Sequence, residues 1–312
     1  MDFEYPPQAD TYRTKVRSFL DANLPKDWKG IGSLNHAAAA EWTEDWRKKL
    51  YSEGLLAITW PKEYGGQGLS HIESLVLAEE FARAGVPAGG PNDGFGIGML
   101  GNTIIAVGTE EQKRHYLPRA LSGEDRWCQG YSEPAAGSDL GNLGCRAVLD
   151  GDEWVINGQK IWTSAGHLAN YIFVLARTSP DDVKHRGITF LLVDMRQKGV
   201  EIRPIKMMSG DSEFNEVFFT DARCPKENVV GEVNGGWMVA MTLLGNERGA
   251  GAVVSSISFR GELDKLNALA QEKGLTKDPH IRQRLAQAHI KVEIMRFLGY
   301  RTLTAFMSGN QP

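Results

Sequence analysis

A chain of 312 residues with 42% hydrophobic content can bury a sizeable core and is long enough for two or three packed units. Its net charge of -4 comes from interspersed acidic and basic residues, which excludes a basic stripe for nucleic acid and a polybasic run for an anionic membrane. Three cysteines, Cys128, Cys145 and Cys224, without C-x-x-C spacing argue against a disulfide framework or a metal site and for a reducing compartment. The opening "MDFEYPPQAD" is acidic with no apolar centre, and no run approaches about 18 apolar residues. The expectation is a soluble cytoplasmic protein with neither signal peptide nor membrane span.

From residue 8 to about 122 the period is helical. Tyr12, Val16, Phe19 and Leu20 fall on one face, and Leu75, Leu77, Ala78 and Phe81 mark another. Thr109 followed by Gln112 reads as a capping box that opens a helix with Leu117 and Leu121 facing inward. From Trp127 to about residue 230 the period becomes two. Asp150-Gly151 and Asn157-Gly158 separate "CRAVL", "EWVI" and "KIWTS", and both dipeptides favour two-residue hairpin turns. An antiparallel sheet follows, continued by "ANYIFVLART", "GITFLLVDM", "EIRPIKMM" and "FNEVFFTD". No helices alternate with these strands, so a parallel Rossmann sheet is not expected.

Helical periodicity returns from Trp237 to about Lys273, where Gly274 is placed to end the helix, and again from about Pro279 to Ser308. The expected order is therefore an α-helical block over 1–125, a β block over 126–232 and a second helical block over 233–312. That third block is short for two long amphipathic helices, which points to a truncated product or an obligate oligomer.

Gly96, Gly98 and Gly101 in "GIGMLG" match G-x-G-x-x-G, but "GGPNDGF" precedes them and is no strand. Close helix packing or a widened cavity explains these glycines better than a phosphate cradle. No P-loop, H-E-x-x-H or G-x-S-x-G occurs, and the seven histidines are scattered.

"WCQGYSEPAAGSDL" (127–140) and "VINGQKIWTSAGHLANYIFVLAR" (155–177), with "WPKEYGG", "YLPRALSGE" and "CPKENVVGEVNGGW" in order around them, resemble the acyl-CoA dehydrogenase family. The resemblance covers nearly the whole chain. It implies an α+β fold: an N-terminal α-helical domain, a middle antiparallel β-barrel-like domain and a C-terminal helical bundle, incomplete here. It implies FAD as cofactor and loss of an α-proton and a β-hydride from an acyl-CoA thioester, leaving a trans-2-enoyl-CoA. Tyr131 and Ser132 would border the isoalloxazine, with Ser132 donating to its pyrimidine side. Trp162 would pack on the ring system, and Thr163 and Ser164 would follow at its edge, Ser164 near N5. Donors at such positions stabilise developing negative charge. Ser138 would lie toward the CoA. For any single hydroxyl, turn capping is the competing explanation.

Most members carry the catalytic glutamate in a downstream segment that this chain does not contain. A branch including the isovaleryl and long-chain enzymes places it on the first long C-terminal helix, directly before an arginine, and Glu247-Arg248 in "LLGNERGAG" matches that pattern. By resemblance Glu247 is the base and Arg248 a substrate contact; a solvated helix pair, or a base outside the chain, are the alternatives. Desolvation beside thioester and cofactor would raise the carboxyl pKa toward operating pH. The R-x-T-F-G motif with which many relatives reach a partner's FAD pyrophosphate is absent from "AQEKGLTKDPHIRQRLA" (270–286), so a hetero-oligomer stands beside a homo-oligomer. The family implies an electron-transfer flavoprotein as acceptor. The run from Gly89 to Gly101 contains six glycines and would wall a roomy acyl pocket suited to branched or polycyclic groups. An acyl-CoA oxidase or flavin monooxygenase of the same fold, or a non-catalytic subunit completing another chain's site, are the competing functions.

Overall fold

The computed structural model describes residues 6–179, 184–247 and 251–307. The chain forms two compact units, one of residues 1–49, 67–88 and 248–312 and the other of residues 50–66 and 89–247.

The first unit is helical. Helix α1 (Pro7–Asn23) buries Ala9, Tyr12, Val16 and Leu20, and Phe19 is half-buried with its ring centroid 5.4 Å from that of Trp46. Helix α2 (His36–Ser52) supplies Trp42 and Trp46, stacked at 5.1 Å, with Trp28 stacked on Trp42 at 4.4 Å. Helix α3 (His71–Ala84) buries Leu75, Leu77 and Phe81 as its period requires. It also buries Glu79 and Glu80, which Arg13, Arg17 and Arg83 neutralise. The helical period expected from Trp237 to Lys273 is present as α6 (Gly236–Glu247), which belongs to the second unit, and α7 (Gly251–Glu272). Gly274 ends α7 at φ +66°, and Asp278 accepts from the His280 amide at 2.8 Å to open α8 (Pro279–Met307). The stretch from which R-x-T-F-G is missing is thus the corner between α7 and α8. On α7 and α8, Phe259, Leu266, Ile290 and Ile294 are exposed.

The second unit is an eight-stranded sheet with helices against it. Its strands are β1 (Trp127–Gly130), β2 (Arg146–Asp150), β3 (Glu153–Ser164), β4 (Tyr171–Arg177), β5 (Ile188–Asp194), β6 (Val200–Pro204), β7 (Phe214–Pro225) and β8 (Val229–Val230). The order is β6-β7-β3-β2-β4-β5-β8, with β1 beside β4. Pairing is antiparallel except that β1, and one residue pair of β2, run parallel to β4. The capping box forms as expected: in α5 (Glu110–Ser122) Thr109 Oγ1 accepts from the Gln112 amide at 3.2 Å, and Leu117 and Leu121 are buried. Asp150-Gly151 makes its hairpin, Gly151 at φ +64° and Asp150 opposite Glu153.

Asn157-Gly158 does not turn the chain. β3 runs straight through it, and the side chain of Asn157 instead pairs with a bulge in β7, exchanging hydrogen bonds at 3.0 Å with Asp221. Gly158, at φ +149°, lets Cys145 cross closely: a Cβ there would lie 2.7 Å from the Cys145 Cα. The polar dipeptide serves a β-bulge and a close crossing, which share the composition of a turn.

The glycine run 94–101 is a π-helical segment leading into α4 (Asn102–Val107). Among the described residues no strand precedes it, and its glycines have divided roles. A Cβ on Gly96 would sit 3.0 Å from Trp127, and one on Gly101 would sit 2.1 Å from Trp60, whereas Gly94 and Gly98 would meet nothing.

A buried ion pair fixes the loop after β1. Lys160 of β3 is fully buried, and its Nζ donates to Glu133 Oε1 at 2.6 Å and to the Tyr131 carbonyl at 3.2 Å. The Glu133 carboxylate also accepts from the Gly144 and Cys145 amides at 2.6 and 3.0 Å. The charge is compensated by one ammonium and two peptide donors, which is what burial of a carboxylate demands.

Two stability predictions follow from this packing. Gly101→Ala should lower unfolding free energy by about 1–3 kcal/mol in urea titrations, because overpacking must displace an indole, while Gly98→Ala stays within about 0.5 kcal/mol of native. Lys160→Met should cost about 3–5 kcal/mol by leaving Glu133 buried without its cation, and Lys160→Met with Glu133→Gln should recover part of that loss. A loss below about 1 kcal/mol in the single variant would mean the pair is dispensable.

Candidate active site

The second unit gathers most of the residues singled out in the sequence. β3 ends against β7 with an irregularity: Lys160 pairs with Val217 but Thr163 pairs with Asn215, so Ile161 and Trp162 together face Glu216 alone. This bulge reverses the side-chain alternation beyond it. Trp162, at φ +61°, projects outward and is 58% exposed, edge-on to Phe214 at 6.0 Å. Thr163 turns inward, 1% exposed. Ser164, opposite Phe214, is half-buried, and Ala165 follows at φ +51°. Each left-handed non-glycine residue costs on the order of 1–3 kcal/mol, and an outward tryptophan gains little in water in return.

Tyr131 and Ser132 adjoin this segment. The Ile161 amide donates to the Ser132 carbonyl at 2.9 Å, and Tyr131 is buried with its ring edge-on to Phe173 and Phe190. Ser138 lies farther along the same loop, exposed in a turn beyond the bridge between Glu133 and Ala136. Arg177 holds the next stretch by donating to the Gly141 carbonyl at 2.7 Å.

Glu247 is the last residue of α6, which buries Val239, Ala240 and Leu243 and packs against the π-helical segment and β5. The Glu247 side chain and Arg248 lie outside the described residues. A Cβ on Gly245 would meet nothing within 4 Å.

The segment 162–166 offers what a planar aromatic cofactor requires. Among the described residues the Thr163 hydroxyl and the Asn215 Oδ1 are buried with no hydrogen-bond partner, at a cost of about 1–3 kcal/mol each, so the segment keeps this form against its own stability. The outward indole supplies an apolar face beside them. These residues fit the polar edge and flat face of a flavin. The cysteines offer no competing nucleophile: all three are free and buried, and burial pushes the thiols up, Cys145 to about 11 and Cys224 to about 12. Among the described residues no group of three metal-ligating side chains occurs, and no helix is long and apolar enough to cross a membrane.

Sequence reading passed over several residues of this site. Asn92 donates from Nδ2 to the Trp127 carbonyl at 3.0 Å and the Ala165 carbonyl at 3.2 Å. Asn215 donates from Nδ2 to the Thr163 carbonyl at 2.9 Å. Both asparagines are buried; in the sequence, an asparagine before Asp93-Gly94 and one inside a strand carried only turn or edge signals. Lys160 and Glu133 sit inside the quoted motifs, yet nothing local marks them as an ion pair.

Family models match in series: the acyl-CoA dehydrogenase N-terminal domain over residues 6–124, the middle domain over 128–222 and the C-terminal domain over 234–312. The acyl-CoA dehydrogenase IpdE1 of Mycobacterium tuberculosis is 44% identical over 95% of this chain and 77% of its own. A solved structure of a steroid ACAD, Tcur3481-Tcur3483, is 36% identical with a TM-score of 0.85, covering 100% of this chain and 79% of that one. The ChsE4-ChsE5 complex from Mycobacterium tuberculosis is 35% identical with a TM-score of 0.83, covering 100% of this chain and 79% of that one. Serial matches to all three domains, on a fold of helices, sheet and helices, establish that this chain belongs to the acyl-CoA dehydrogenase family of oxidoreductases.

Proposed function

We propose that this chain catalyses FAD-dependent α,β-dehydrogenation of an acyl-CoA thioester to a trans-2-enoyl-CoA. The observation that carries the reading is the β3 bulge, which exposes a strained Trp162 and leaves Ser164 half-buried close to it. Hydride acceptance from the substrate β-carbon is the chemistry that FAD supplies when bound. Trp162 would cover one face of the ring system, and the half-buried Ser164 hydroxyl would donate at its polar edge, with Thr163 between them in the same segment. Tyr131 and Ser132 would close the adjoining side, and Ser132 would donate toward the pyrimidine. Glu247 takes the α-proton onto its carboxylate, and closure of substrate over the end of α6 excludes water and raises the basicity of that carboxylate. Arg248 and Ser138 bind the thioester and its CoA.

The substrate we favour is a bulky, polycyclic acyl-CoA. Two observations support it. α6 packs against the π-helical segment, and Gly94 and Gly98 on one and Gly245 on the other would tolerate a Cβ without contact. One solved relative at 36% identity, Tcur3481-Tcur3483, is named as a steroid ACAD. Tcur3481-Tcur3483 and the ChsE4-ChsE5 complex are each named by two components, which favours a hetero-oligomer over a homo-oligomer for this chain, with an electron-transfer flavoprotein as electron acceptor.

The test is anaerobic bleaching of flavin absorbance by a panel of acyl-CoAs, using native protein and Glu247→Gln in parallel. The native chain should bleach with a polycyclic acyl-CoA and much less with butyryl-CoA. Glu247→Gln should retain its flavin and lose at least about 10³-fold in bleaching rate, the upper range for a general base. Equal bleaching by both proteins would remove Glu247 from the reaction, and a preference for butyryl-CoA would reject the bulky substrate.

A further inference from the structure

The segment Trp162–Ala165 departs from regular strand geometry at both ends, with left-handed backbone at Trp162 and again at Ala165. Conformations of this kind persist only where the surroundings over-determine them. Two buried amides do so. Asn215, on the paired strand and fully buried, donates to the Thr163 carbonyl at 2.9 Å. Asn92, reaching from the loop before the π-helical segment, donates to the Ala165 carbonyl at 3.2 Å and, with the same nitrogen, to the Trp127 carbonyl of β1 at 3.0 Å. One asparagine therefore grips the middle of the segment and the other its end.

We propose that Asn92 and Asn215 are positioning residues for the flavin, setting the Ser164 hydroxyl by clamping the backbone on either side of it. This inference rests on the reading of the site as a flavin site. A purely structural role fits the observations less well. A fold optimised for stability would let β3 end in register and bury Trp162, whereas here the clamp holds an indole 58% exposed and leaves the Thr163 hydroxyl and Asn215 Oδ1 buried without partners among the described residues. Conserving strain and unpaired polar atoms in one short segment, with two amides committed to it, is the pattern of a preorganised binding edge. Asparagine suits the task because its amide nitrogen carries two donors, which Asn92 divides between the Trp127 carbonyl of β1 and the Ala165 carbonyl just past β3.

The test is FAD affinity and the visible circular dichroism of bound flavin, measured on the full chain in the assembly in which it purifies, for native protein, Asn92→Ser, Asn215→Ser and the double variant. Far-ultraviolet dichroism of the flavin-free proteins reports folding. Each single variant should fold, bind FAD about tenfold more weakly, and show an altered visible dichroism because the edge hydroxyl no longer holds one geometry. The double variant should lose less than the product of the two single losses, because both amides act on one segment. Folded variants with native affinity and native dichroism would overturn the proposal. Failure of both single variants to fold would also overturn it, since the amides would then determine the fold and not the flavin edge. If the native chain itself binds no FAD, the flavin reading of the site falls, and this inference falls with it.

Discussion

The site depends on one irregularity in strand pairing. Between Lys160 and Thr163, β3 carries one more residue than β7, and because side chains alternate with a period of two, that extra residue decides what points in and what points out. Without it Thr163 would face outward and Trp162 inward. With it, an indole stands on the surface and a hydroxyl lies buried beside Asn215. Every functional assignment to Trp162, Thr163 and Ser164 inherits this inversion.

The bulge is held from below by a different kind of interaction. Lys160, the last regularly paired residue before it, is spent on Glu133 and the Tyr131 carbonyl. A fully buried ammonium has no freedom to move off its partner without exposing an uncompensated carboxylate, so the register of β3 and the path of the 131–145 loop are set together. Glu133 extends this link to Gly144 and Cys145, which brings the chain back toward β2. Ser132 and the bulge are thus positioned by one electrostatic knot, although Ser132 is on a loop and Trp162 on a strand.

Much of the fold could be read from local pattern, because caps, periods and hairpin turns are local physics. Thr109 and Gln112 are three residues apart, and Asp150-Gly151 joins neighbouring strands. Asn157-Gly158 carries the same turn signal, but its outcome was decided by Asp221, 64 residues away, and no local rule reports that. The same limit hid Asn92 and Asn215, whose partners are 73 and 52 residues distant, and hid the burial of Glu79 and Glu80 beneath arginines of α1. Of the candidate site, Trp162, Thr163 and Ser164 were found through motif resemblance, while the bulge that gives them their orientation was not visible in composition or period. The glycine run was legible as a packing element at Gly96 and Gly101, but its π-helical form was not.

The most direct measurement is a crystal structure of the chain with FAD bound. The isoalloxazine is expected against the Trp162 indole at van der Waals distance, about 3.5–4 Å, with the Ser164 hydroxyl at its polar edge and Trp162 still in the left-handed region. A flavin bound elsewhere, or a β3 that straightens and returns Trp162 to ordinary strand geometry, would contradict this arrangement.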